Sequence, residues 1–117
     1  MIVITGRIIS KKNEKRIVRA GGRQFIISSK AYLKFEKEAV SQIKSRKHTT
    51  YKGNVDVCYT LTYKGKMWID ADNAIASLND ILQKAEVLED DKQVKSGTFY
   101  VQSGKDWKAE IEISPIS

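Results

Sequence analysis

The sequence predicts an α+β fold, with a small mixed β-sheet of about four to five strands and two main helices. Apolar residues recur with the period of strands in several short segments and with the period of helices in two others. The helical segments are too few and too unevenly placed along the chain for a doubly wound sheet. A length of 117 residues fits one domain over 1–117, with a core large enough to need no disulfide or metal.

The first half of the chain contains two strand segments and one helix. Met1–Ile9 is rich in isoleucine and valine and indicates a first strand, and Gln24–Ile27 indicates a short second strand. Between them, Ser10–Gly22 is basic and ends in a glycine pair, so we expect a mobile basic loop or a hairpin. Ser29 is a candidate N-cap for a helix over Ala31–Ser45, where apolar residues follow one helical face.

The second half begins with the strongest strand signal. Val55–Tyr63 alternates apolar and polar residues without a break, which predicts a strand with one apolar face. A second helix is predicted over Asn73–Ala85, followed by an acidic loop, Glu86–Gln93. Val94–Gln102 and Trp107–Ile113 are predicted to form a closing hairpin.

Composition excludes several classes of protein. The 41% of hydrophobic residues and the single proline exclude collagen and low-complexity disorder. Cys58 is the sole cysteine, so the chain has no internal disulfide framework. No apolar run approaches the ~20 residues that cross a bilayer, and the start does not resemble a secretory leader. We therefore expect a cytoplasmic protein with no membrane partner.

The net charge of +7 is unevenly distributed. Residues 1–66 hold 16 Lys and Arg against 4 Asp and Glu, whereas residues 67–117 hold 5 against 10. A basic half can bind a polyanion by neutralising its phosphates. The acidic half would tolerate that polyanion if divalent cations covered its carboxylates. The alternative is that both halves are ordinary solvated faces that attract each other.

The most specific chemical feature is Asp70-x-Asp72-Asn73, at the predicted junction between a strand and a helix. The chain turns there, so both carboxylates can converge on one point, and a helix N-terminus favours negative charge. Ionised carboxylates are the ligands that Mg²⁺ requires. The structural alternative is that Asp72 is an N-cap and Asp70 a surface charge.

A second acidic run, Glu89-Asp90-Asp91, follows the predicted helix. That helix is about 20 Å long, and residues 86–91 in extended form span up to about 20 Å. Asp91 could therefore return along the helix to the first pair, or meet its partners across a subunit interface. Three gathered acids in a basic protein favour metal-assisted phosphodiester hydrolysis.

Three pieces of the chain resemble the RusA family of Holliday-junction resolvases, which are small phage and prophage endonucleases. Asp70-Ala71-Asp72-Asn73 matches the family's Asp-x-Asp-Asn. The segment Leu88–Val94 resembles its Asp-Asp-x-Gln-Val, at a similar distance downstream. The segment Gly6–Asn13 resembles its N-terminal Gly-x-x-x-Ser-Lys-Lys-Asn. Together the pieces cover the whole length of the chain.

The resemblance implies a RusA-like endonuclease domain, acting as a homodimer in a bacterial or phage-infected cell. Such enzymes bind four-way DNA junctions and nick two opposing strands symmetrically, in DNA recombination and repair. The family's catalytic, magnesium-binding acids fall on Asp70, Asp72 and Asp91, with Asp90 beside them as a further metal ligand. Mn²⁺ is the expected substitute for Mg²⁺. A two-fold dimer suits this substrate because one active site then faces each cleaved strand.

One position departs from the family pattern. The family commonly carries a catalytic Lys four residues after the second acid, where this chain has Ala76. The cations nearest to the acids in sequence are Lys66, Lys92 and Lys95. Two alternatives to a fully active nuclease therefore stay open. One is a catalytically weakened junction- or DNA-binding protein of the same fold, and the other is a basic interaction module whose acids are structural.

The basic half is predicted to contact phosphates, which would position a junction by shape and not by sequence. The predicted DNA-binding residues are Lys11, Lys12, Lys15, Arg16, Arg19, Arg23, Lys30, Lys44, Arg46 and Lys47.

Overall fold

The computed structural model describes residues 1–10, 15–20, 23–28, 30–46, 48–66 and 69–116. Its strands are β1 (Ile2–Thr5), β2 (Lys15–Ala20), β3 (Arg23–Ser28), β4 (Val55–Lys64), β5 (Val94–Gly104) and β6 (Lys108–Pro115). Its helices are α1 (Lys30–Lys44), α2 (Ala71–Lys84) and a short 3-10 helix over Asp91–Gln93. None of the helices in these ranges is both long and apolar enough to cross a membrane.

The main sheet has four strands in the order β1-β6-β4-β5. β6 is antiparallel to both β1 and β4, whereas β5 is parallel to β4. β2 and β3 form a separate antiparallel pair. A mixed sheet with two main helices confirms the α+β class predicted from the sequence.

The predicted closing hairpin is wrong, because β4 lies between β5 and β6. Tyr59 of β4 is opposite Phe99 of β5 on one side and Ile111 of β6 on the other. The reason is burial. The apolar face of β4 is buried and β4 takes the centre of the sheet, whereas β5 is exposed along most of its length and takes the edge.

Both helices pack against one face of the sheet, and the core lies between these two layers. The core side chains include Tyr32, Phe35, Ala39 and Ile43 from α1, Leu78, Ile81 and Leu82 from α2, and Ile4, Val57, Leu61 and Ile111 from the strands. The other face carries polar residues such as Thr60 and Glu110, which are opposite each other and half-buried. This arrangement is typical of a sheet that is covered on one face only.

The direction of α2 decides where the candidate site residues lie. In the middle of the helix, Asn79 Oδ1 accepts a hydrogen bond of 2.5 Å from the Tyr59 hydroxyl of β4. After the helix ends, the Val87 carbonyl accepts from the backbone N–H of Tyr51, which precedes β4. The C-terminal end of α2 therefore lies where β4 and β5 begin. Its N-terminal end lies where those two strands end.

Several predicted boundaries change. β1 stops at Thr5 and not at Ile9, because Gly6 adopts φ +109, a left-handed conformation that favours glycine. Part of the predicted loop Ser10–Gly22 is β2, which pairs with β3, so the hairpin alternative is confirmed for residues 15–20. Residues 11–14 and 21–22 and the predicted cap Ser29 lie outside the described residues.

Candidate active site

Asp70 is the N-cap residue of α2. Its carboxylate accepts a hydrogen bond of 3.4 Å from the backbone N–H of Asn73 and one of 2.6 Å from the Asn73 side-chain amide. Asp70, not Asp72, therefore caps the helix, which corrects the structural alternative considered from the sequence. A capping carboxylate keeps further lone pairs for another ligand, since an ionised Asp has about four acceptor positions.

Asp72 lies in the first turn of the same helix and is exposed. Asp70 and Asp72 are thus both placed at the N-terminal end of α2, where the unsatisfied backbone N–H groups favour negative charge. The prediction that this motif opens a helix is confirmed, although the helix starts at Ala71 and not at Asn73.

The second acidic run is held by a capping box at the 3-10 helix. The Asp90 carboxylate accepts a 2.8 Å hydrogen bond from the backbone N–H of Lys92, and this bond lowers the pKa of Asp90. In return, Gln93 Oε1 accepts from the backbone N–H groups of Glu89 and Asp90, at 2.7 and 2.9 Å. The carboxylate of Asp90 is therefore held ionised in a fixed turn.

Two further contacts fix where this turn lies. The backbone N–H of Asp91 donates to Gln83 Oε1 at 3.2 Å, near the C-terminal end of α2. The Gln93 amide donates to the carbonyls of Tyr51 and Gly53, both at 2.8 Å, just before β4. Asp90 and Asp91 therefore lie at the end of α2 that is opposite to Asp70.

The two acidic groups do not meet within one chain. α2 has 14 residues, so its ends are about 20 Å apart at 1.5 Å per residue. Among the described residues of one chain, no three His, Cys, Asp or Glu side chains are grouped closely enough to hold a metal ion. Of the two routes considered from the sequence, the direct return of Asp91 along the helix is not formed. The route across a subunit interface remains.

A groove of about 700 Å³ lies at the end of the sheet where β4 and β5 end. The end of β5 is joined there to the turn after β4, since Ser103 Oγ donates to the Gly65 carbonyl at 2.7 Å. The basic side chains that line the groove are Arg7, Lys64, Lys105 and Lys108. None of these four was predicted from the sequence, because they come from separate segments that only the topology brings together.

A family model of endodeoxyribonuclease RusA matches residues 6–114, nearly the whole chain. The chain belongs to the RusA family. Membership implies Holliday-junction resolvase activity, an endonuclease activity of DNA recombination. No curated protein matches the sequence significantly.

The basic residues predicted to contact DNA fall into three groups in this RusA-family chain. Lys30, Lys44 and Arg46 are exposed on α1 or just after it. The backbone of the β2–β3 hairpin carries Lys15, Arg16, Arg19 and Arg23. Lys11, Lys12 and Lys47 lie outside the described residues.

The position at which the RusA family commonly has a lysine is exposed. Ala76 lies on α2, one turn after Asp72. Lys66 is exposed in the turn after β4, on the side of the molecule where α2 begins. Lys92 and Lys95 are exposed beside the Asp90 turn, and both lower the pKa of Asp90 by charge attraction. Each acidic group thus has at least one cation near it in the chain.

Proposed function

We propose that this RusA-family protein is a magnesium-dependent, structure-selective endodeoxyribonuclease formed by one domain over 1–117. It resolves four-way DNA junctions by paired symmetric nicks, as a homodimer in the cytoplasm of a bacterial or phage-infected cell. The observation that carries the proposal is that hydrogen bonds hold two acidic groups at opposite ends of one helix. When two copies of the chain associate in opposite orientation, the N-terminal end of α2 in one copy can lie near the C-terminal end of α2 in the other.

The proposed metal ligands are Asp70 and Asp72 of one chain and Asp91 of the partner subunit, with the partner's Asp90 beside it. Carboxylate oxygens suit a hard cation, and Mg²⁺ usually takes one or two protein carboxylates and fills the rest of its shell with water and phosphate oxygens. Mg²⁺ bound there would polarise the scissile phosphate and activate water, and Mn²⁺ would substitute for it. The N-terminal end of α2 favours negative charge, which suits carboxylates placed at that end.

A two-fold dimer contains two such sites, related by the symmetry axis. A four-way junction also has two-fold symmetry, so each site faces one of the two opposing strands. This correspondence accounts for paired nicks without any difference between the two chains.

The basic groove supports DNA binding at the same end of the sheet as Asp70. The strand residues of the groove, Thr62 and Lys64, share the sheet face of Thr60, away from the helices. Arg7, Lys64 and Lys105 are exposed there and can neutralise phosphates of the bound DNA. The β2–β3 hairpin supplies further cations. Contacts of this kind position a branched substrate by its backbone and shape.

A second candidate function is junction binding with weakened cleavage. Ala76 favours it, because an exposed alanine stands where the family commonly has a lysine, and a methyl group cannot stabilise charge on phosphate. In this case the chain binds a junction tightly but turns it over slowly with any divalent ion.

The test is a synthetic four-way junction incubated with the protein and Mg²⁺, Mn²⁺, Ca²⁺ or EDTA. Paired nicks with Mg²⁺ and none with EDTA are expected, and Asp70→Asn should bind the junction but not cut it. Tight binding with slow cutting, or with no cutting, under all of the divalent-ion conditions identifies the weakened protein. Binding and stability that do not respond to any cation would refute the metal site.

A further inference from the structure

The sheet face opposite to the helices, here called the helix-free face, carries an ordered row of polar side chains. The row crosses the sheet near the end of β4 and takes one residue from each strand, namely Thr5, Lys108, Thr62 and Gln102. All four line the groove of about 700 Å³. Gln102 Nε2 donates a 3.1 Å hydrogen bond to Thr62 Oγ1, and an amide also has an oxygen acceptor and a second hydrogen for another partner. The row therefore presents hydrogen-bonding groups to a molecule in the groove.

The next row of the helix-free face contains an exposed aromatic ring. Tyr100 is opposite Thr60, so its side chain is on the same face as Gln102, which follows two residues later on β5. The side chain of Tyr100 is 59% exposed. The Cα atoms of Tyr100 and Gln102 are about 7 Å apart, at roughly 3.4 Å per residue. A flat ring this close to the groove is a stacking surface for a planar ligand.

The groove end of this face is positively charged. Arg7, Lys64 and Lys105 are exposed in the groove wall. Within the part of the chain that the structure describes, none of the three is held in an ion pair. The wall also includes Asp106, so cations outnumber the acid there. An anion in the groove would therefore meet several cations that are available to it.

The other half of the helix-free face is acidic. Lys108 Nζ lies 3.2 Å from Glu110 Oε1, and this ion pair marks the boundary between the two halves. Beyond it, Asp56 and Glu112 are on the helix-free face, since each is an even number of residues from Thr60 or Glu110 on the same strand. A polyanion is thus attracted to the groove and repelled from the far half of the sheet.

We propose that the groove end of the helix-free face binds single-stranded DNA. A base stacks on Tyr100, Gln102 contacts base edges, and the groove cations neutralise the neighbouring phosphates. Proteins that bind single strands combine the same two elements, which are aromatic side chains for the bases and a cationic groove for the backbone. A base inside a duplex cannot use the ring, because its neighbours in the stack cover both of its faces. The site therefore takes unpaired nucleotides.

This site is separate from the acidic residues of the proposed metal site. Asp70 and Asp72 belong to α2, which packs on the other face of the sheet. The inference rests on the proposed function in one respect, because the choice of DNA over RNA follows from it. The stacking and the phosphate contacts follow from the helix-free face alone.

The first experiment measures the binding of a labelled thymidine oligonucleotide of about ten nucleotides, a usual site size, by fluorescence anisotropy in EDTA. Tyr100→Ala should weaken binding by about tenfold, because one base loses its stacking partner. Tyr100→Phe should bind like the wild type, because it keeps the ring. The matched control is Phe99→Ala, since Phe99 is the adjacent residue and is 49% exposed, but it lies opposite Tyr59 on the face that carries the helices. This control should leave the affinity unchanged, and circular dichroism checks that each variant is folded.

Two further measurements locate the contact. Tyr100→Ala should leave the affinity for a duplex of the same length unchanged, because paired bases do not reach the ring. An oligonucleotide that carries 5-bromodeoxyuridine should form an adduct with the wild-type protein on irradiation. Mass spectrometry should find that adduct on Tyr100 and not on Phe99.

The outcomes separate this inference from the proposed function. Single-strand binding that is unaffected by Tyr100→Ala, or that falls equally with Phe99→Ala, overturns the site and leaves junction cutting to be judged by the nuclease assay. Tighter binding of the corresponding RNA overturns the assignment to DNA. A loss that is confined to single strands and to Tyr100→Ala, together with the adduct on Tyr100, establishes the site even if the protein cuts no junction.

Discussion

The backbone N–H of Asp91 donates to the side-chain oxygen of Gln83 at 3.2 Å, which fixes Asp91 at the C-terminal end of α2. Asp70 caps the other end of the same helix. Within one chain the helix itself keeps these two acids apart. Any site that uses both must therefore take them from different copies.

A subunit-mixing experiment tests this directly. Asp70→Asn and Asp91→Asn should each be inactive alone, but their mixture should regain cutting after subunit exchange. A mixed dimer has one site with both changes and one site with neither. In an equal mixture about half of the dimers contain one chain of each variant, and one of the two sites in each of these is intact. About a quarter of all sites should therefore be active, and each mixed dimer should give single nicks.

The matched control for mixing is Asp70→Asn with Asp72→Asn. Both changes lie on the same side of the proposed site, so every site in that mixture is damaged and no cutting should return. Failure of the first mixture, with mixed dimers demonstrated by two affinity tags, would contradict a site shared between chains.

The capping and metal-binding roles of Asp70 should separate by substitution. Asn is as good an N-cap as Asp, so the free energy of unfolding of Asp70→Asn should lie within a few tenths of a kcal/mol of the wild-type value. Asp70→Ala should lower that free energy by about 1 kcal/mol. Both variants should lose detectable cutting, because neither offers a carboxylate. Urea unfolding and the junction assay measure the two effects. If Asp70→Asn still cuts junctions and only the less stable Asp70→Ala loses activity, the role of Asp70 is structural.

Restoring the family's lysine should raise activity. Ala76→Lys places an ammonium group on the exposed surface of α2, one turn after Asp72, where it can stabilise negative charge on the phosphate. We expect a gain in single-turnover cutting rate of about tenfold. Ala31→Lys, the same change at an exposed position on α1, is the control and should leave the rate unchanged. An equal effect of both variants would indicate general charge attraction to DNA.

Junction affinity should fall steeply with salt, because the protein neutralises phosphates. Arg7→Ala and Lys64→Ala should each reduce the slope of log affinity against log salt by about 1. Lys37→Ala, an exposed cation of α1 outside the predicted contacts, is the control. Fluorescence anisotropy with a labelled junction over a salt series measures the slopes. A flat response would exclude the groove as a phosphate-binding surface.

The contribution of Tyr59 to the stability of the fold should depend on pH in the alkaline range. Burial raises the pKa of Tyr59 to about 12, and its hydroxyl donates to Asn79. Tyr59→Phe should cost about 1 kcal/mol at pH 7 through the lost hydrogen bond. The folded state keeps the proton to higher pH than the unfolded chain, which ionises near pH 10. The advantage of Tyr59 should therefore be complete below pH 10 and disappear as the pH rises toward 12.

Urea unfolding of both proteins between pH 8 and 12 gives that comparison. Taking the difference between the two proteins removes the titration of all other groups. A difference that stays constant through pH 12 would show that Tyr59 ionises equally easily in both states.

The parts of the fold that follow local periodicity could be predicted from the sequence. The alternation in Val55–Tyr63 and the stripe through Leu78 and Leu82 gave β4 and α2 with only small errors at their ends. The motif around Asp70 could be predicted as well, because a capping residue acts on its own helix.

The pairing of β5 could not be predicted in this way. A turn between Val94–Gln102 and Trp107–Ile113 suits a hairpin, and only the competition for buried positions places β4 between them. The position of Asp91 was equally undetermined, since the helix and the loop after it have similar lengths. The side chains of Gln83 and Gln93 decide it, and no local pattern marks these residues as anchors.

The hydrogen bonds of Gln93 affect how readily the neighbouring acidic residues bind a cation or a nucleic acid. The buried side chain of Gln93 accepts two hydrogen bonds from within the segment that contains Asp90 and Asp91, and it donates both amide hydrogens to the residues before β4, so this segment is both folded on itself and fastened to the sheet. The loss of conformational entropy needed to order this segment therefore occurs when the chain folds. It does not recur when a cation or a nucleic acid arrives, and this preorganisation favours affinity.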